Sequence, residues 1–141
     1  MNPTRTIKIT RKNDEGKMEQ IDVRLMYCLA SEIGFQNESG KTMDVFNPDY
    51  EEKDGKLVLK AMPQATDKDY ITLVLACITA AYESEGQEAP VKSDTLIYHA
   101  TREEISALVA AVVSMRAEWL FVPATIKPEM AEKKGKKRKN A

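Results

Sequence analysis

Apolar and polar side chains alternate in two short stretches near the start of the chain. Ile7 and Ile9 share one face of the first stretch, and Ile21 and Val23 share one face of the second. A period of two residues is typical of a strand with one buried face. Gly16 lies in the polar segment between the stretches, and turns favour glycine. The pattern predicts an N-terminal β-hairpin, which must pack on helices because two isolated strands are marginally stable in water.

Three later segments have apolar residues at helical spacing, and the first of them is residues 24–33. Leu25 and Leu29 are four positions apart, which places them on the same face of a helix. Asp22 precedes the segment as a candidate N-cap, and Gly34 follows it as a candidate stop. The sequence therefore predicts a helix that begins directly after the hairpin.

The other two helical segments open with capping boxes. Residues 66–69 read Thr-Asp-Lys-Asp, with aspartate in place of the usual glutamate, and residues 101–104 read Thr-Arg-Glu-Glu. We expect a helix over about 68–85 and a second one from the later box to about Leu120. Pro123 is expected to close the last helix.

The segments between these helices are less regular. Residues 42–46 predict a short helical turn, and the charged residues 51–55 predict a solvated loop. Residues 56–62 fit either a strand or a helical turn, and residues 94–99 predict a short strand. The expected fold class is α+β, with an N-terminal β-hairpin and about three amphipathic helices.

Charge is distributed unevenly along a chain of 141 residues that is 43% hydrophobic and 30% charged, the composition of one globular domain. Residues 127–141 contain seven basic and two acidic residues, a net charge of +5, which leaves a net of −6 on residues 1–126. We therefore expect a single globular domain over 1–126 and a disordered basic tail over 127–141. An acidic body repels nucleic acid, so any phosphate contact would come from the tail. Its candidate residues are Lys133, Lys134, Lys136, Lys137, Arg138 and Lys139.

The residue types that commonly act in catalysis or bind metals are scattered along the sequence. His99 has no nucleophile or acid in a known catalytic spacing, and Cys28 and Cys77 each lack a CxxC partner. No glycine-rich phosphate loop or calcium-loop spacing is present in the sequence. We expect a structural histidine, two buried reduced thiols, no metal, no cofactor and no enzymatic activity. With no apolar run of membrane-spanning length and no signal-peptide core behind Met1, the expected location is the cytoplasm.

Four features occur in a particular order over roughly residues 17–125. Short strands lead into an early amphipathic helix at 22–30 (Asp-Val-Arg-Leu-Met-Tyr-Cys-Leu-Ala), and a mid-chain helix follows a Thr-Asp start at 66–76. A final helix opens with Thr-x-Glu-Glu and continues through Trp119, and a charged extension follows. This layout resembles the phage tail assembly chaperones, small proteins encoded between the major tail protein and the tape measure protein. Many of them exist in a short and a frameshifted long form, with which the peptide Lys-Lys-Gly at 133–135 is compatible.

The resemblance implies a non-enzymatic protein of the host cytoplasm. It would bind unpolymerised tail tube subunits or the tape measure protein and hold them soluble until assembly, by covering apolar partner surface with exposed helix faces. The candidate contact residues lie on the last helix, beyond a single apolar stripe, and are Val109, Val113 and Leu120. Packing in the core is the alternative role for these side chains. A homo-oligomer is compatible with the same surface.

Two other functions remain open from the sequence. A small nucleic-acid-binding accessory protein would act through the basic tail, and its binding would depend steeply on salt. An enzyme without a recognised motif would gather His99 or several carboxylates in a concave site.

Overall fold

The computed structural model describes residues 1–126, and of residues 122–126 it describes the backbone alone. The predicted tail, 127–141, lies outside the described residues. The α+β fold is confirmed, with two separate two-stranded antiparallel sheets. In chain order, the elements are β1 (Thr4–Lys12), β2 (Met18–Met26), α1 (Leu29–Ser39), a 3₁₀ turn (Met43–Phe46), β3 (Asp49–Lys53), β4 (Lys56–Ala61), α2 (Asp67–Glu83), a π-helical turn (Thr95–His99) and α3 (Arg102–Ile126). No helix within the described residues is long and apolar enough to cross a bilayer.

The predicted N-terminal hairpin is confirmed as β1 and β2. Ile9 pairs with Ile21, and Gly16 takes the positive φ of 80° that the turn requires. The Asn13 side chain closes the turn by accepting hydrogen bonds from the backbone N–H groups of Glu15 and Lys17, at 2.9 and 3.0 Å. The inward face of the hairpin packs on α2 and α3, which supplies the coverage that two strands need.

The predicted bounds of the first helix were wrong, because β2 continues to Met26. Leu25 fits a helical stripe, but it also fits the alternating face of a strand, and pairing with β1 selects the strand. The helix begins at Leu29 instead, where the Ser31 hydroxyl accepts a hydrogen bond from the Cys28 N–H at 3.2 Å.

Gly34 does not end α1, which continues to Ser39. A Cβ at Gly34 would lie 3.3 Å from the Cβ of Ala76, so this glycine allows α1 and α2 to pack closely. Gly40 is the actual C-cap, with φ of 72° and its N–H bonded to the Gln36 carbonyl at 2.9 Å.

The 3₁₀ turn confirms the helical turn predicted for residues 42–46, but the solvated loop predicted for 51–55 was wrong in part. Residues 49–61 form a second hairpin, in which Tyr50 pairs with Leu59. Asp54 and Gly55 both take positive φ, 53° and 77°, as a two-residue hairpin turn requires. The Asp-Gly pair is a strong hairpin signal, and it also decides the ambiguous segment 56–62 in favour of a strand.

The two predicted capping boxes are confirmed. Thr66 Oγ1 accepts a hydrogen bond from the Asp69 N–H at 3.2 Å, and Asp69 Oδ2 accepts one from the Thr66 N–H at 2.9 Å. Thr101 and Glu104 exchange the same pair of bonds, at 3.1 and 2.9 Å. Because these bonds span only three residues, the sequence alone specifies where α2 and α3 begin.

Two predictions beside α3 were wrong. Residues 95–99 form a π-helical turn rather than a strand, closed by a bond of 3.0 Å from the Ala100 N–H to the Thr95 carbonyl. The helix α3 runs through Pro123 to Ile126. Proline removes one helical hydrogen bond but keeps a helical φ, so it weakens a helix without always ending it.

The core lies between the first hairpin and the helices. Its fully buried large side chains come from β1, β2, the connection after β2 and all three helices, and they are Ile9, Val23, Leu25, Tyr27, Phe35, Leu73, Val74, Ile78, Leu108, Val112 and Met115. The second hairpin contributes no residue to this cluster.

Candidate partner-binding groove

The helix α3 has apolar residues on two faces. Leu108 and Met115 are fully buried on the face that packs on the core. The adjoining face carries three partly exposed apolar side chains: Val113 at 52%, Leu120 at 47% and Phe121 at 64%. A helix that covers one core needs a single apolar stripe, so the second stripe requires another explanation.

The exposed stripe forms one wall of an apolar groove with a volume of about 340 Å³. The groove is also lined by Tyr70 and Leu73 of α2 and by Phe46 of the 3₁₀ turn. The Phe46 ring contacts Phe35 and Tyr70 in edge-to-face geometry, with centroids 4.9 and 5.2 Å apart. These ring contacts fix the floor of the groove, because edge-to-face pairs restrain the orientation of both rings.

The base of the second hairpin closes one end of the groove. Pro48 precedes β3 and Pro63 follows β4, and both prolines line the groove. A backbone hydrogen bond of 2.8 Å from the Ala65 N–H to the Val45 carbonyl joins the two chain segments at this base. The groove is therefore built from α2, α3 and the connections around the hairpin, which are distant in sequence.

Among the described residues that line the groove, Arg116 is the one that carries a charge. Its Nε is buried and has no hydrogen-bond partner in the described part of the chain. Burial raises the pKa of the neighbouring Tyr27 hydroxyl, as does its hydrogen bond to Glu32 at 2.8 Å, while the positive charge of Arg116 acts in the opposite direction. A buried donor without an acceptor costs free energy, so Arg116 is held in the wall of the groove at a cost.

The structure places the predicted contact residues in different environments. Val113 and Leu120 lie in the groove, whereas Val109 is half-buried against the core and does not line the groove. The predicted phosphate contacts, Lys133 to Lys139, lie outside the described residues. The sequence reasoning missed Phe121, although its spacing of eight from Val113 puts both on one helical face, and it missed Arg116, for which no sequence signal exists.

A second exposed apolar surface lies on the β3–β4 hairpin. One face of this ribbon carries three apolar side chains that are each about half exposed or more: Tyr50, Leu57 and Leu59. The opposite face carries charge, including Glu51 and Lys53, whose charged atoms are 3.4 Å apart. The hairpin is thus amphipathic, and no element of the described chain covers its apolar face.

Other chemically capable groups are engaged in structural contacts. A shallow polar depression between β1 and α3 contains Glu104, whose oxygens accept hydrogen bonds from Thr10 and Thr101. Burial alone would raise the pKa of Glu104, but these bonds outweigh it and hold the pKa below its usual value.

The described residues also contain few groups that could carry thiol or metal chemistry. Cys77 is buried and Cys28 is half-buried, not fully buried as predicted, and both are free thiols. Burial raises the pKa of Cys77 to about 12, which leaves it unreactive at neutral pH. Across residues 1–126, no three histidine, cysteine or acidic side chains are grouped closely enough to hold a metal ion.

Comparison of the chain with protein-family models, curated proteins and solved structures gives no match.

Proposed function

We propose that this chain is a non-enzymatic phage tail assembly chaperone that binds an unassembled partner in the groove between α2 and α3. The groove carries the proposal, because it is an apolar, preformed concavity lined by half-exposed side chains of α3. Exposed apolar patches rimmed by polar residues are typical of protein-binding surfaces. The partner would be a tail tube subunit or the tape measure protein, and the resemblance in element order supports this choice.

The size of the groove suits reversible binding of a short segment. Its volume of about 340 Å³ is near the lower limit for binding pockets, roughly 300 Å³. Fully burying one large apolar side chain contributes about 1.5–3 kcal/mol, and Leu120 and Phe121 are already partly covered. The resulting affinity would be moderate, as a chaperone requires when it must release its partner at assembly.

Co-expression with a tail tube protein or a tape measure protein tests the proposal. We expect the full-length chain to increase the soluble fraction of the partner and to co-purify with it. Leu120→Asp should abolish both effects, because it places a charge in the groove. Leu59→Asp is the matched control, since Leu59 is 48% exposed against 47% for Leu120 but lies on the second hairpin. If the wild-type chain leaves the solubility of both partners unchanged, the chaperone proposal is wrong.

The second candidate function, nucleic-acid binding, rests on the net charge of +5 in residues 127–141. It predicts retention on DNA that falls steeply between low and moderate salt and is lost when residues 132–141 are removed. Equally weak retention of the full-length and shortened chains would exclude it.

A further inference from the structure

We propose that the occupant of the groove is an amphipathic segment with a carboxylate within its apolar stripe, and that Arg116 binds this carboxylate. The inference rests on the proposed function, because it assumes that the groove is the partner site, and it specifies the chemistry of the partner.

The charge of the groove is the first argument. Arg116 is the one charged lining residue in the described part of the chain, where an occupant meets a single cation in apolar surroundings. The nearby acidic side chains are engaged elsewhere: Glu118 pairs with Arg5, and Glu32 accepts the Tyr27 hydroxyl at 2.8 Å. No salt bridge of the described residues involves Arg116, so an acidic occupant would meet a cation that has no counter-ion in this part of the chain.

Desolvation is the second argument. A purely apolar occupant would remove water from the guanidinium without replacing its hydrogen bonds, and burying an unpaired charge is strongly unfavourable. A carboxylate removes this penalty by accepting two parallel N–H bonds from the guanidinium fork. The same site disfavours basic segments by like-charge repulsion, so the groove selects among apolar partners by charge.

The position of Arg116 along α3 gives the spacing of the occupant. The groove-lining part of α3 runs from Val112 to Phe121, ten residues whose first and last Cα atoms are about 14 Å apart along the helix axis. Arg116 lies near the middle, with Val113 before it and Leu120 after it. A helical occupant would match this length with an acidic residue flanked by apolar residues one turn away on each side.

Two synthetic amphipathic peptides test the inference. They share the same leucine stripe and differ only in a central Glu or Gln, and their Kd values are measured against the full-length chain by titration calorimetry at fixed ionic strength. We expect the Glu peptide to bind about tenfold more tightly than the Gln peptide, a typical effect of a charge-assisted pair. Arg116→Gln should remove the difference, and Arg116→Lys should restore part of it. Arg102→Gln is the matched control, because Arg102 is exposed at the start of α3 outside the groove.

The outcomes separate the two proposals. Equal affinity of the wild-type chain for both peptides overturns the role of the carboxylate and leaves the groove as an apolar site. A preference for Glu that persists in Arg116→Gln overturns the assignment to Arg116, provided thermal unfolding shows that the variant is folded. Binding of neither peptide counts against the groove itself. A dimer that Leu120→Asp dissociates, or peptide binding that begins only when residues 127–141 are removed, would identify another occupant and overturn the inference.

Discussion

The two β-hairpins of this chain have similar local structure and opposite surroundings. Both are antiparallel pairs closed by a glycine with positive φ, at Gly16 and Gly55. In the first hairpin Val23 and Leu25 are fully buried against the helices, and the Arg24 N–H donates to the Tyr82 hydroxyl of α2 at 3.2 Å. In the second hairpin every strand residue except Glu51 is exposed.

The contrast shows what a strand pattern does and does not specify. Alternation and turn residues determine that a hairpin forms and which side chains share a face. Whether the apolar face is covered depends on which helices the rest of the chain brings to it. The first hairpin is part of the core, while the second is held by its own ladder and by its base at the groove. The chain thus keeps one hairpin for stability and leaves the other, with the groove beside it, available for contacts.

Hydrogen exchange should show the largest difference between the hairpins. We expect the ladder amides of β1 and β2 to exchange only through global unfolding, and those of β3 and β4 through local opening that costs far less free energy. For a domain of this size, the gap would be several kcal/mol. Native-state exchange followed by NMR or mass spectrometry measures it. Comparable protection in both hairpins would mean that something covers the second one in solution.

A matched pair of leucine truncations should give the next largest effect. Leu25→Ala removes a side chain with no exposed area and should lower the free energy of unfolding by about 2–5 kcal/mol. Leu57→Ala removes one that is 77% exposed and should change it by less than about 0.5 kcal/mol. Urea unfolding of both variants measures the difference, and a similar loss in both would contradict the comparison.

Replacing Glu104 tests how strongly hydrogen bonds from α3 hold the first hairpin. Its carboxylate accepts bonds of 2.9 and 2.8 Å from the N–H and hydroxyl of Thr10 in β1, so Glu104→Ala should cost about 1–3 kcal/mol. Because the pKa of Glu104 is below its usual 4.5 in the folded state, the stabilisation is complete above that pH. It is lost as the pH falls through the folded-state pKa.

Unfolding measured between pH 7 and pH 3 should therefore show a shallower acid loss for Glu104→Ala than for the wild-type chain. Glu51→Ala is the control, since the ion pair of Glu51 is with Lys53 of its own hairpin and does not join the hairpin to the core. Parallel acid profiles for all three proteins would mean that Glu104 does not carry the linkage.

The two turn glycines should give the smallest difference. Gly16→Ala places a side chain at φ of 80° and should destabilise the protein by about 1–2 kcal/mol, because the first hairpin unfolds with the core. Gly55→Ala imposes the same strain at φ of 77°, but the second hairpin can open locally, so global stability should fall by less than about 0.5 kcal/mol. Thermal melts of both variants compare them, and an equal decrease would show that the hairpins unfold together.

The sequence by itself determined the features whose signals lie within a few residues. The first hairpin and the capping boxes at Thr66 and Thr101 are specified by alternation, a turn glycine and bonds spanning three residues. The Asp54-Gly55 turn is an equally local signal for the second hairpin, although the charged residues before it are typical of a solvated loop. Local chemistry of this kind needs no distant partner, which is why it can be read from the chain alone.

Only the tertiary structure decided the boundaries and the candidate site. The pattern around Leu25 fits a helix or a strand, and pairing with β1 selects the strand. Gly34 is typical of a helix end, but in the structure it allows close packing on Ala76, whose Cβ would lie 3.3 Å from a Cβ placed at Gly34. Val109 lies outside a single apolar stripe of α3, as does Val113. Val109 nevertheless packs on the core while Val113 lines the groove, because α2 covers only part of α3. The unpaired Nε of Arg116 follows from which neighbours surround it, and no local pattern encodes that.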